Sequence, residues 1–116
     1  MATGLENLKV YTMAKVLEDR IYEVTDNFPQ EEKYRRVDQM RRASSSIVDN
    51  IAESYGKFHY GEKLHSISIA RGEAEELRSQ IKRVTGRYIS EKVSDQLIQQ
   101  TTELIKAQAI LGWLNG

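Results

Sequence analysis

The chain has 116 residues, with 17 Lys and Arg against 17 Asp and Glu, so its formal net charge is zero. It has no cysteine, which excludes disulfides, zinc–thiolate centres and thiol nucleophiles. Balanced charge removes any global argument for a nucleic-acid or membrane partner, so a case for either has to be local. The length is that of one domain, residues 1–116, whose core needs no metal or staple. Met1 to Lys9 hold no apolar signal-peptide core, and no run is apolar for long enough to cross a bilayer. The expected location is the cytoplasm, with no membrane contact.

A first helix is expected over about residues 6–28. Val10, Ala14, Leu17, Ile21, Val24 and Phe28 are spaced 4, 3, 4, 3 and 4, the a/d seam of a packed helix. Asn27-Phe28-Pro29 stops it, because proline disfavours a helical residue before it and cannot continue the ladder. A second helix is expected over 31–54, with Glu31 and Glu32 in its first turn, where the helix dipole favours negative charge. Val37, Met40, Ser44, Ile47 and Ile51 form its inward stripe, and the small residues Ala43 to Ser46 let another helix come close. Beside that stripe run Arg42, Ser46, Asn50 and Glu53, which read either as the lining of a pocket or as a polar network fixing register between helices or subunits.

After a loop over residues 55–61, a third helix is expected over 62–86, with Leu64, Ile67, Ala70, Ala74, Leu77, Ile81 and Val84 inward. Gly72 in its interior costs roughly 1 kcal/mol against alanine, which points to a close helix crossing there. Ser90 caps a fourth helix over 91–114, with Val93, Leu97, Leu104, Ala107, Leu111 and Leu114 inward. Ile98, Ile105, Ile110 and Trp113 make a second apolar flank on it. Nothing reads as a strand. Four long helices joined by short connections give an all-α, antiparallel up-down-up-down bundle. The second and fourth helices carry more small and apolar surface than one bundle buries, so a second copy of the chain is the expected partner.

The run from Phe28 to Tyr34, then Gln39 to Ala43, Ser46-Ile47 and Asn50 to Glu53, resembles a bacterial four-helix-bundle family. That family is named for small proteins encoded in intervening sequences of 23S ribosomal RNA genes. Ile69 to Gly72, Glu76-Leu77 and Gly86 to Ser90 follow the same pattern in order. The resemblance implies a cytoplasmic bundle that assembles as a ring-like homo-oligomer, a pentamer. It also implies kinship with the accessory proteins of diversity-generating retroelements, which bind a reverse transcriptase and nucleic acid.

The chemistry of an enzyme is not visible. Di-metal bundles use two Glu-x-x-His motifs, whereas this chain has one, Glu62 to His65, and His59 has Gly56 three residues before it. Ser44, Ser45 and Ser46 have no base beside them in sequence. No phosphate-binding glycine loop or hydrolase elbow occurs, so the expectation is a non-enzyme with no cofactor or metal.

Cations are placed more tellingly. Lys33, Arg35, Arg36, Arg41 and Arg42 open the second helix, while Arg78, Lys82, Arg83 and Arg87 close the third in a stretch of residues 78–87 that contains no acid. An antiparallel hairpin brings the two groups to one end. There they meet either phosphates, as a patch of Arg35, Arg36, Arg78, Lys82, Arg83 and Arg87, or the acids Glu18, Asp19, Glu23, Asp26, Glu91 and Asp95. The leading expectation is an oligomeric interaction module for RNA, DNA or a nucleic-acid-bound protein. A purely structural or protein-scaffolding oligomer, or an accessory protein to a reverse transcriptase, is the alternative.

Overall fold

A computed structural model of the chain describes residues 8–114, with side chains as far as Ile110. Helix α1 spans Lys9–Thr25, α2 spans Asp38–Gly56, α3 spans Tyr60–Val84 and α4 spans Glu91–Leu114. Each helix packs on the next in sequence, and α4 also packs on α1. Contacts between neighbours run in opposite chain order. Thr25 of α1 meets Arg41 of α2 while Tyr22 meets Ser45, and Thr85 meets Ser94 while Arg78 meets Thr102.

The seam of α1 is buried in full from Val10 through Ile21 to Phe28. The helix itself stops at Thr25, three residues short of the expected end; its expected start at residue 6 lies outside the described residues. Thr25 Oγ1 donates back to the Ile21 carbonyl at 2.7 Å, and the Phe28 amide closes a turn on the Thr25 carbonyl. Phe28 then swings inward onto Tyr88, with ring centroids 5.1 Å apart.

The second helix also departs from expectation at its start. Gln30–Glu32 form a 3-10 turn and Lys33–Val37 a π-helical turn before regular α2 begins at Asp38. Pro29 holds extended backbone at ψ 151°, and the wide turn after it lets both Glu32 and Val37 face inward. From there the expected stripe of Met40, Ser44, Ile47 and Ile51 is buried, joined by Ala43 and Val48. The loop expected over residues 55–61 shortens to 57–59, because α2 runs through Gly56 and α3 starts at Tyr60.

In α3 the core residues run from Ile67 to Val84, but Leu64 is exposed. Gly72 corrects the sequence-based expectation: it is exposed, and a methyl group there would touch nothing within 4 Å, so among the described residues no helix crosses close to it. The helix ends two residues early because Gly86 takes φ +78°, the left-handed conformation in which glycine has no steric cost. That turn returns the amides of Arg87 and Tyr88 to the Val84 carbonyl.

Ser90 caps α4 as expected, its Oγ accepting from the Val93 amide at 3.1 Å. The buried stripe of α4 is Ser94, Leu97, Thr101, Leu104 and Gln108, which keeps the expected Leu97 and Leu104 but replaces Val93 and Ala107. Val93 and Ala107 are only half-buried, and the side chains of Leu111, Trp113 and Leu114 lie outside the described residues. Two of the buried polar groups are satisfied, Ser94 by Thr85 at the end of α3, 2.6 Å away, and Thr101 by the Leu97 carbonyl one turn back. Gln108 is fully buried, and among the described residues neither of its amide atoms is hydrogen-bonded. Among the described residues no helix is long and apolar enough to cross a membrane.

Candidate nucleic-acid interface

The π turn and the Gly86 turn come together at one end of the molecule, around a buried carboxylate. Tyr88 Oη donates to Glu32 Oε2 at 2.6 Å, a contact across 56 residues of chain. Arg36 Nε lies 3.5 Å from the same carboxylate and Arg35 Nε 3.9 Å. The Tyr88 hydrogen bond, helped by the charges of Arg35, Arg36 and Arg87, holds the Glu32 carboxyl below its ordinary 4.5 despite burial. The same bond, with burial, pushes the Tyr88 phenol above its ordinary 10.0. Glu32 Oε1 and Arg36 Nε each lack a hydrogen bond, so these ion pairs are charge contacts rather than locked forks.

Glu32 thus gathers part of the expected patch. Arg35 is exposed above it, Arg36 is half-buried beside it, and Arg87 lies over the Tyr88 ring at 5.4 Å. Lys82 and Arg83 are exposed one turn before Arg87. Among the described residues, Lys82, Arg83 and Arg87 make no ion pair. Arg78 turns aside: half-buried, it donates to Thr102 Oγ1 of α4 at 3.1 Å.

The acids expected to neutralise this end act elsewhere for the most part. Glu18 pairs with Lys15 and Glu23 with Arg20, both inside α1. Asp26 takes Arg41 at 2.8 Å, and Arg41 Nε also donates to Thr25 Oγ1 while its guanidinium covers the Tyr22 ring at 4.6 Å. Arg41 is therefore a brace between α1 and α2. Asp19, Glu91 and Asp95 are exposed, and among the described residues none of them makes an ion pair.

The row of Arg42, Ser46, Asn50 and Glu53 is partly joined. Asn50 Nδ2 donates to the Ser46 carbonyl and to Ser46 Oγ, at 2.9 and 3.2 Å. Arg42 is 80% exposed and pairs with Asp38 one turn back on α2, and Glu53 pairs with Lys57, the residue just past the end of α2. Glu62 and His65 are exposed on α3, and His59 sits edge-on to Phe58. Among the described residues no group of three His, Cys, Asp or Glu side chains is placed to hold a metal ion.

Sequence reasoning missed Glu32 and Tyr88 as a pair, and it missed Gln108. Gln108 lines a crevice of about 450 Å³ between α3 and α4 together with Leu64, Ile67, Ser68 and Arg71. Its only advance signal is position, since Ser94, Leu97, Thr101, Leu104 and Gln108 keep the 3, 4, 3, 4 spacing of a buried seam.

A sequence model of the 23S rRNA-intervening sequence protein family matches residues 6–109. The chain belongs to that family. Its fold is similar to the crystal structure of a protein of unknown function from the S23 ribosomal protein family of Bacteroides thetaiotaomicron. The two share 21% identity over 88% of this chain and 93% of that one, with a TM-score of 0.81, which establishes the fold alone. No curated protein matches the chain. Neither description names an enzymatic activity. In this family member every candidate patch residue, from Arg35 to Arg87, falls inside the matched segment.

Proposed function

We propose that this family member is a non-enzymatic, cytoplasmic, up-down-up-down bundle that works as a homo-oligomer and binds the phosphate backbone of RNA or DNA. The observation that carries the reading is the exposed set of Lys82, Arg83 and Arg87, without ion pairs among the described residues, in the segment whose Arg87 acts on the same Glu32 carboxylate as Arg35 and Arg36. Because net charge is zero, binding by one copy would be weak, and several copies presenting the same end would add avidity. Oligomerisation is supported by apolar surface outside the core, with Val16 51%, Ile69 39% and Ile110 59% exposed. The pentamer follows from the family resemblance. The polar row of α2 supplies candidate contacts between copies, with Ser45 and Ala52 half-buried next to it. The scaffold reading is favoured by one observation, Phe58 at the α2–α3 connection, which is 90% exposed and far from any cation cluster proposed here.

Salt dependence separates the two. Each phosphate bound by a cation releases counterions, so removing one such cation changes the slope of log affinity against log salt by about 0.7–0.9. Arg83→Gln with Arg87→Gln should weaken RNA binding and flatten that slope, with helicity and mass by light scattering unchanged. No binding by the unmutated protein at low salt would leave the scaffold reading in front. A monomeric mass at micromolar concentration would overturn the oligomer, and Ser45→Lys or Ala52→Lys should lower the mass if α2 lies between copies.

A further inference from the structure

The basic surface is interleaved with aromatic rings. Tyr34 is 81% exposed, against 42–44% for Tyr22, Tyr55 and Tyr60, and it stands between the exposed cations Lys33 and Arg35. The π turn is the cause: turning Glu32 and Val37 inward leaves residues 33–35 projecting together. Lys33 Nζ lies 5.5 Å from the Tyr34 ring centre, and Arg87 lies 5.4 Å from that of Tyr88. A tyrosine kept this far out of the core gains nothing from burial, and its neighbours supply charge on both sides. That is the arrangement by which proteins hold single strands, with a ring for the base and cations for the phosphates next to it.

Resting on the nucleic-acid reading above, we infer that Tyr34 is a base-stacking platform and that this end of the bundle prefers unpaired RNA or DNA to duplex. In a duplex both faces of each base are already covered by its neighbours, so an exposed ring has nothing to stack on. Phosphates are present in both forms, so the arginines alone would not discriminate between them. Stacking is also uncharged. It should add affinity without adding to the salt slope, whereas each arginine bound to a phosphate adds to both.

The test is fluorescence anisotropy with a labelled oligouridylate and with a labelled blunt-ended duplex of two fully complementary strands, using the unmutated protein, Tyr34→Ala, Tyr34→Phe and Arg83→Gln. Tyr34→Ala should lose about 5- to 150-fold in affinity for the single strand, keep its salt slope, and leave duplex binding unchanged. Tyr34→Phe should retain single-strand affinity, and Arg83→Gln should weaken both probes and flatten both slopes. The side chain is mostly in solvent, so circular dichroism should show every variant folded. Unchanged single-strand affinity in Tyr34→Ala, equal losses on both probes, or a loss in Tyr34→Phe as large as in Tyr34→Ala would overturn the stacking platform while leaving the basic patch standing. No binding of either probe by the unmutated protein would instead remove the patch, and the platform with it.

Discussion

The two ends of this bundle are built differently. Where α1 hands over to α2 and α3 to α4, side chains tie separate elements together: Tyr88 to Glu32, Arg41 to Thr25 and Asp26, Thr85 to Ser94. Toward the α2–α3 connection, Phe58 is 90% exposed, Leu64 has left the core, and Gln108 is buried with its amide unpaired. Both ends contain polar groups, so polarity alone does not explain the contrast. At the first end the buried carboxylate has a partner from a distant part of the chain, whereas the buried Gln108 amide toward the second has none among the described residues. The fixed end is also the one that displays cations and rings. The cations and rings thus stand on turns that are tied to one another by side chains from distant parts of the chain.

That comparison is sharpened first by the core itself. Ile81→Ala should cost about 2–5 kcal/mol in chemical denaturation, because Ile81 is fully buried in the cross-linked half. Ile67→Ala should cost less, since Ile67 borders the crevice beside Gln108 and its surroundings can collapse more easily. Equal losses would mean that the two halves are packed alike.

The next effect is on pH. A carboxyl held below its ordinary 4.5 adds stability above that value, and the contribution is lost as pH falls through the lower folded value. A phenol raised above 10.0 adds stability below that value, and the contribution is lost as pH rises through the higher folded value. One hydrogen bond therefore fails on both limbs. Tyr88→Phe should lower the melting temperature at neutral pH and flatten the alkaline limb, and Glu32→Gln should lower it and flatten the acid limb. A profile that keeps its shape in both variants would break the claim that this bond fixes the end.

Much of this architecture is legible in the sequence, and the failures share a cause. The α1 seam and the α2 stripe consist of apolar or small residues at helical spacing, so pattern reading finds them. In α4 three of five buried stripe positions are polar, and a search for apolar residues slides onto the half-buried Val93 and Ala107 instead. Glu32 looks like an ordinary acid in a first helical turn; its burial depends on Tyr88, 56 residues away. The two cationic segments are visible as runs, but the carboxylate between them is not. Gly72 misleads in the opposite direction, since a helical glycine suggests a crossing that none of the other described residues makes.

Smaller effects sharpen the contrast further. Toward the α2–α3 connection, Gln108→Leu should stabilise the protein by about 1–3 kcal/mol, because it removes a buried amide with no hydrogen bond among the described residues and keeps most of the volume. A loss of stability there would show that the amide is satisfied in solution. Gly72→Ala should raise stability by up to about 1 kcal/mol through helix propensity, since the new methyl group meets open space. If it instead lowers the mass seen by light scattering, a second copy of the chain lies against α3 at that point.

Hydrogen exchange measured by mass spectrometry, with and without a saturating oligouridylate, tests the central claim most directly. The expected result is slowed exchange over residues 33–36 and 82–88, with residues 55–64 at the opposite end unchanged. Slowing centred on residues 55–64, or no change anywhere once the oligonucleotide is bound, would contradict the assignment of the cross-linked end as the nucleic-acid surface.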